Sequence, residues 1–382
     1  MSNPFKLIVT LKQHSPLIHF QSDQAGATLR STELKPKLDK FLIDEVFDDF
    51  EEYKKFLIEH DEEKYKALNG QDKKKYKNDI HKALDYKVRI SVEPGKVETK
   101  KVPIITMDKT TVYYPSHSLE IFSFKTELLD KIKEVIEKFF ILHNFGLRQS
   151  KGFGCFTTGD TTQAGFENSA LSKYPVYYRK KPSGSNIYNE IDMDYKIMKS
   201  GINHNKYIKS KLFRYLSEEK HIDWEKRKIK ETLKTRYKDV FDSLKYRSED
   251  GPQRIAKSLP EKETPNFRYI RALLGLAEHN EFRTWKGKIQ VNIEDNKEKD
   301  DKDRIERFQS PLMFKVFNQH IYIFPNEIPD EMYNREFKFS LDNKRLFTIP
   351  TPLKSDFNMI SFLDFCLINN NDLKNWERIS KK

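Results

Sequence analysis

Residues 127–158 constrain the fold of this chain more than any other stretch. "ELLDKIKEVIEKFFIL" (127–142) sets Leu128, Ile132, Val135, Ile136 and Phe139 three or four apart, the spacing of an amphipathic helix. "HNFGLRQSKGFGCFTT" then passes through Gly146, Gly152 and Gly154 into an apolar strand that begins at "GFGCFTT". A helix with one oily face that turns straight into a strand must pack on the sheet this strand joins.

The preceding segments supply that sheet. "FKLIVTLKQHSPLIHF" (5–20) reads as one long strand, or as two short ones broken at Pro16, which has no N–H to give a ladder. After the polar loop "QSDQAGATLR", "STELKPKLDKFLIDEVF" has Leu34, Leu38, Phe41 and Leu42 at helical spacing, with Ser31 or Thr32 as N-cap and Pro36 tolerated only in the first turn. Residues 46–85, dense in Glu, Lys and Tyr, read as a helical insertion with solvated faces. "YKVRISVEP" (86–94), "VPIITM" (102–107) and "SLEIFSFKT" (118–126) read as strands. Without the insertion the order is strand, helix, strand, strand, helix, strand, the split βαβ of a ferredoxin-like (RRM-like) domain over 1–160.

Residues 159–173 are small and polar and read as a linker. Beyond it, "YPVYYRKK" opens a second sheet, 204–247 reads as helical, and 294–304 reads as a charged, disordered loop. "SPLMFKVF" and "HIYIFPNEI" form a hairpin about Asn318 and Gln319, and 355–370 is a last apolar helix. The expected fold class is therefore α+β: two ferredoxin-like domains, the first with a helical insertion, the second (174–382) decorated and rich in helix.

Charge narrows the partners. The 382 residues carry a formal net charge of +12, which favours polyanions, nucleic acid or acidic membrane. No stretch approaches the roughly 18 uninterrupted apolar residues of a membrane span, so a cytoplasmic protein with no membrane partner is expected. Cys155 and Cys366 are the only cysteines and read as core residues. No HExxH, Cys/His quartet or close carboxylate pair occurs, so neither metal nor cofactor is expected.

The glycine loop allows two readings. Glycines permit positive φ and close approach of a second backbone, while Arg148 and Lys151 can neutralise phosphates, so the loop can cradle a sugar-phosphate chain. Equally, Gly146 can cap a helix and the later glycines can bulge a strand, with both cations merely solvated. A Walker loop is disfavoured because here the loop follows a helix and enters a strand. His14, His19 and His117 lie on or near strands and are the candidates for a general base, although none has a guaranteed partner. Among the cations of 204–247, Tyr207, Tyr215, Trp224 and Tyr237 are candidates to stack bases or to fill a core.

"NFGLRQSKGFGCF" resembles the glycine-rich loop of the RAMP superfamily of CRISPR effector proteins, with Asn144 where a glycine often stands. "HSPLIHF" with "GATLRSTELKPKLDKFL" is similar to the superfamily's first strand and the basic segment that opens its first helix. "RIERFQSPLMFKVF" (304–317) resembles the Arg-aromatic-x-Ser-Pro strand in the first-named RAMP subunit of the type III-B (Cmr) complex. These resemblances imply a non-catalytic RNA-binding subunit that contacts guide RNA, target RNA and other RAMP subunits. RNA contacts are implied at Arg30, Lys35, Lys37, Gly146, Arg148, Lys151, Gly152, Phe153, Gly154 and Arg307. The superfamily's usual glycines before the first helix are replaced here by "RSTELKPK", so side-chain contacts are expected there. The alternatives are a guide-processing, metal-independent endoribonuclease using one of the three histidines, a target-cleaving backbone subunit using Asp23, and an RRM-like adaptor outside CRISPR.

Overall fold

A computed structural model describes residues 3–18, 28–92, 98–101, 110–114, 116–171, 175–180, 186–204, 206–244, 266–277, 279–284, 287–298, 300–368, 373 and 375–379. The chain is mixed α+β with several antiparallel sheets. It divides into one unit of residues 1–189, 314–324 and 379–382 and a second of 190–313 and 325–378.

In the first unit, β1 (Lys6–Gln13), α1 (Ser31–Glu45), β2 (Lys87–Val92), β3 (Ser116–Phe122), α2 (Thr126–Leu142) and β4 (Phe156–Thr158) follow one another along the chain. The sheet order is β2-β3-β1-β4, with every pair antiparallel. Period-two alternation sorts the strands: Leu7, Val9, Leu11, Leu119 and Ile121 pack in the core with Leu34, Leu38 and Leu42 of α1 and Leu128, Ile132 and Phe139 of α2. Lys6, Ile8, Thr10 and Lys12 alternate with them and are exposed or half-buried.

The N-terminal segment is two strands, not one. Beyond Pro16, Leu17–Ile18 leaves the first sheet and pairs with Thr110–Tyr113. Helix α1 begins at Ser31 with Arg30 in the N-cap position and no side-chain cap, so neither Ser31 nor Thr32 caps it. Pro36 sits in the second turn, where it takes one N–H out of the helix ladder. The insertion forms short helices Phe50–Tyr53, Glu62–Ala67 and Gly70–Asp79, capped by Asp49, Asp61 and Asn69 around Phe50, Tyr53, Tyr65 and Tyr76. "VPIITM" lies outside the described residues.

Residues 159–173 contain a helix, Gln163–Leu171, where a linker is expected. Thr162 accepts the Gly165 N–H at 3.1 Å, Phe166 stacks on Phe317 at 4.4 Å, and Ala170 and Leu171 are buried beside it, so three apolar residues anchor an otherwise polar segment. A second sheet has the order Leu312–Phe317, His320–Pro325, Val176–Lys180, Glu377–Ile379. The hairpin turns at Asn318 and Gln319, both at positive φ (45° and 62°), which matches the twist of the strands it joins.

The second unit has helices Lys211–Glu219, Glu225–Arg236 and Lys238–Ser243 and an antiparallel sheet ordered His279–Thr284, Gly287–Asp295, Glu336–Leu341, Lys344–Pro350. Residues 204–247 are less helical than the spacing predicts. Strands Lys206–Ile208 and Ile222–Trp224 interrupt them, the second pairing in parallel with Asn266–Arg268. The charged segment 294–304 is held in place: Asp295 accepts from Arg335 Nε at 3.0 Å and from the amides of Ile305 and Lys297 at 2.7 and 3.1 Å. Among the described residues, no helix is long and apolar enough to cross a membrane.

Candidate nucleic-acid interface

The loop after α2 has a rigid part and an open part. At its base, Gly146 has φ 78°, and a Cβ there would lie 2.6 Å from Leu17 Cδ1 and 2.7 Å from the Ile18 carbonyl. Gly154 has φ 64°, and a Cβ would come within 1.9 Å of the Phe145 carbonyl. Both glycines exist because the loop's backbone presses on another backbone. The Gly146 amide donates to Glu33 Oε1 at 2.8 Å, Leu147 N–H to the Ile18 carbonyl at 2.9 Å and Gly154 N–H to the Pro16 carbonyl at 3.0 Å. Gly152, at φ 78°, is buried and its carbonyl accepts from the Cys155 thiol.

The apex is different. Arg148 has φ 57°, and the successive amides of Arg148, Gln149 and Ser150 have no hydrogen-bond partner among the described residues. The half-buried Arg148 side chain also lacks a partner there, and Leu147 beside it is exposed. Consecutive free N–H groups around a left-handed residue form a concavity that suits an anion. Lys151 donates its amide to the Arg148 carbonyl at 2.8 Å and bridges to Phe314, which fixes the downstream side of the turn.

Other residues expected at RNA are committed elsewhere. Lys37 Nζ donates to Glu33 Oε1 on its own helix (2.9 Å), and to the Asn144 carbonyl (2.9 Å) and Gln149 Oε1 (2.8 Å), so two of its three protons hold α1 to the loop. Lys35 Nζ donates to Asp39 at 2.7 Å and the Leu84 carbonyl at 2.9 Å and lies over the Tyr86 ring. Phe153 is buried and stacked on Tyr188 at 4.4 Å, which leaves no face for a base. Arg30 is half-buried at the start of α1. Arg307, in the second unit, is exposed and lines an open cleft with Arg304, Phe308 and Glu331.

Sequence reading missed the groups that brace the loop. Lys315 is fully buried in the apolar strand "LMFKVF" and donates to the carbonyls of Phe140 (2.5 Å) and His143 (2.7 Å), closing the C-terminal end of α2. Burial pulls its pKa down to about 8. A lysine inside a wholly apolar run was the available signal. Asn144 donates its side-chain amide to the carbonyls of Gln149 and Phe314 at 2.7 and 2.8 Å.

Of the three candidate histidines, His14 and His117 are described, and both are packing groups. His14 Nε2 lies 2.7 Å from Thr157 Oγ1 with its ring on Phe317, and burial, then Lys12 and Lys315, lower its pKa to about 3. His117 Nε2 lies 2.6 Å from Thr28 Oγ1, and burial lowers its pKa to about 4. Both are neutral at physiological pH. His19 and Asp23 lie outside the described residues. Among the stacking candidates, Tyr215 is buried against Phe357 and Phe362, Trp224 stacks on Phe213, and Tyr207 is exposed. Cys155 and Cys366 are both buried and free. Among the described residues, no cluster of His, Cys, Asp or Glu is arranged to hold a metal ion.

Residues 4–202 match the family model described as the Cmr1 N-terminal domain, and residues 207–382 match the Cmr1 C-terminal domain. Among solved structures the chain is similar to the apo crystal structure of Cmr1 from Pyrococcus furiosus, with 9% identity over 98% of each chain and a TM-score of 0.37. Among curated proteins none matches the chain.

Proposed function

The chain belongs to the Cmr1 family of type III-B CRISPR RAMP proteins, and we propose that it contacts guide and target RNA in the multi-subunit effector without cutting either. The observation that carries this reading is the turn 147–150, where three successive amides and the Arg148 guanidinium have no hydrogen-bond partner among the described residues. Such a turn binds a phosphate without reading a base, which suits a subunit that must accept any guide. The rigid frame under it, from Glu33, Lys37 and Lys315, keeps the amides aimed.

A non-catalytic role is supported by the state of His14 and His117. Each is neutral and hydrogen-bonded to a threonine, His117 buried and His14 half-buried, with no acid or base as its second partner among the described residues. A two-domain ferredoxin-like layout, 1–160 and 174–382, is supported by strand order. Numbered along the chain, each of the two sheets reads second, third, first, fourth, and a helix separates the first and second strands and the third and fourth. Action in the cytoplasm belongs to the same proposal.

The test is binding of labelled single-stranded RNA to the purified chain over a salt series, with and without magnesium. Intact RNA and an affinity that falls steeply with salt are expected. Specific cleavage, or no binding at low salt, would sink the reading.

A further inference from the structure

The first sheet of the first unit has a second face, turned away from α1 and α2, and its composition is unlike that of an ordinary solvated face. Register places its side chains in rows across β1, β3 and β2. The first row is Lys6, Phe122, Lys87; the second Ile8, Glu120, Arg89; the third Thr10, Ser118, Ser91; and Lys12 stands beside Ser116 in the fourth. Ile8 is 59% exposed, and Phe124, just past the end of β3, is 76% exposed. Phe122 and Phe5 both meet the Phe124 ring edge-on, at 5.0 and 5.6 Å. Three aromatic rings and an isoleucine are thus grouped at one end of an open sheet, at a cost in exposed apolar surface that a free-standing face has no reason to bear.

Charge on this face is one-sided. Glu120 pairs with Lys6 at 3.0 Å, while Lys12, Lys87 and Arg89 have no carboxylate partner among the described residues. The third row, Thr10, Ser118 and Ser91, consists only of small hydroxyls, so an extended chain can lie close to the backbone there. Aromatics that stack bases, cations beside them for phosphates, and a polar floor between are the elements of a single-strand platform.

We infer that this open face of the first sheet, centred on Phe122 and Phe124 with Lys87, Arg89 and Lys12, is a second binding surface for single-stranded RNA, apart from the loop at 147–150. It rests on the reading of the chain as an RNA-binding subunit and adds a track on which bases stack rather than one where phosphates are held. Charge complementarity selects RNA over another protein subunit as the occupant, because three unpaired cations would be left buried by a neutral interface.

The test uses the full chain and a labelled single-stranded RNA carrying 4-thiouridine. Phe122→Ala/Phe124→Ala and, separately, Lys87→Glu/Arg89→Glu should each weaken binding about tenfold at an unchanged unfolding temperature. Phe122→Tyr/Phe124→Tyr should restore it, since tyrosine keeps the stacking ring. Photocrosslinks should map to peptides within 116–125. If both face variants bind like the wild type while Arg148→Ala weakens binding, the face is overturned and the loop stands. If the wild type binds no RNA, both fall together. If the face variants bind RNA normally but fail to join the other subunits, the face is a protein interface and the inference is wrong.

Discussion

The Lys37 ammonium reaches from α1 to the Asn144 carbonyl at 2.9 Å, and the Lys35 ammonium, two residues earlier, reaches the Leu84 carbonyl at the same distance. Two cations in a basic segment that resembles an RNA-binding one are thereby turned inward. Lys37→Met would leave the Asn144 carbonyl and Gln149 without their charged donor. A charge-assisted hydrogen bond contributes about 1.5–3 kcal/mol, so a loss of that order is expected in chemical denaturation, together with a loosened loop.

Arg148 should behave in the opposite way. Arg148→Ala removes a side chain without a partner among the described residues, so the fold should stay as it is and the unfolding temperature should hold. Affinity for single-stranded RNA should fall, and the log–log salt slope should shrink by about 0.7, one phosphate contact. Adding Lys151→Ala tests the neighbouring cation. Unaltered affinity of the double variant at low salt would leave the loop as a structural cap.

The glycines separate frame from apex. Gly154→Ala sets a methyl against the Phe145 carbonyl at a residue with φ 64°, so both sterics and dihedral oppose it. A loss of about 3 kcal/mol or more is expected, in the range where backbone effects dominate. Gly70→Ala, where a Cβ meets nothing, should leave stability near that of the wild type when both are measured by urea titration.

Acid should destabilise the first unit through its histidines. The folded pKa values of His14 and His117 (about 3 and about 4) lie below the unfolded value of 6.5. Between those limits the unfolded chain binds more protons, so stability is complete above pH 6.5 and is lost as pH falls toward 4. Each group contributes a slope of up to about 1.4 kcal/mol per pH unit. His117→Gln should flatten the fall in unfolding free energy between pH 6.5 and 4. An unchanged slope would show that His117 titrates normally in the folded chain.

In the second unit, Asp295→Ala should release the segment 296–305. It would leave the Arg335 guanidinium, 14% exposed, without its carboxylate, at a cost of about 3–5 kcal/mol. Limited proteolysis should then cut within 296–305 at protease concentrations that spare the wild type.

Much of the scaffold was legible because it rests on short-range pattern. The 3.6-residue spacing of Leu128, Ile132, Ile136 and Phe139 marks α2, the alternation of "SLEIF" marks β3, and Pro16 marks the break after β1. The loop was legible only in its residue types. Gly146 is explained by Leu17 and Ile18, more than a hundred residues earlier, and Phe153 by Tyr188, neither of which spacing can reveal. The same limit applies to 294–304, which looks like a solvated charge run until Arg335 is placed against Asp295. Helix 163–171 escaped notice because its buried stripe is short, Phe166, Ala170 and Leu171, among polar residues, and its anchor Phe166 packs on Phe317, Tyr322 and Phe324 from distant sequence.

Lys315 has a consequence for how the protein is made. The carbonyls that end α2 wait for an amine that the ribosome adds more than 170 residues later, and Val176–Lys180 waits for its partner His320–Pro325. As the nascent chain emerges, the first unit therefore stays unfinished until most of the second, residues 190–313, has been translated. A fragment stopped near residue 202 would carry the whole N-terminal family match and still lack the residues that close it.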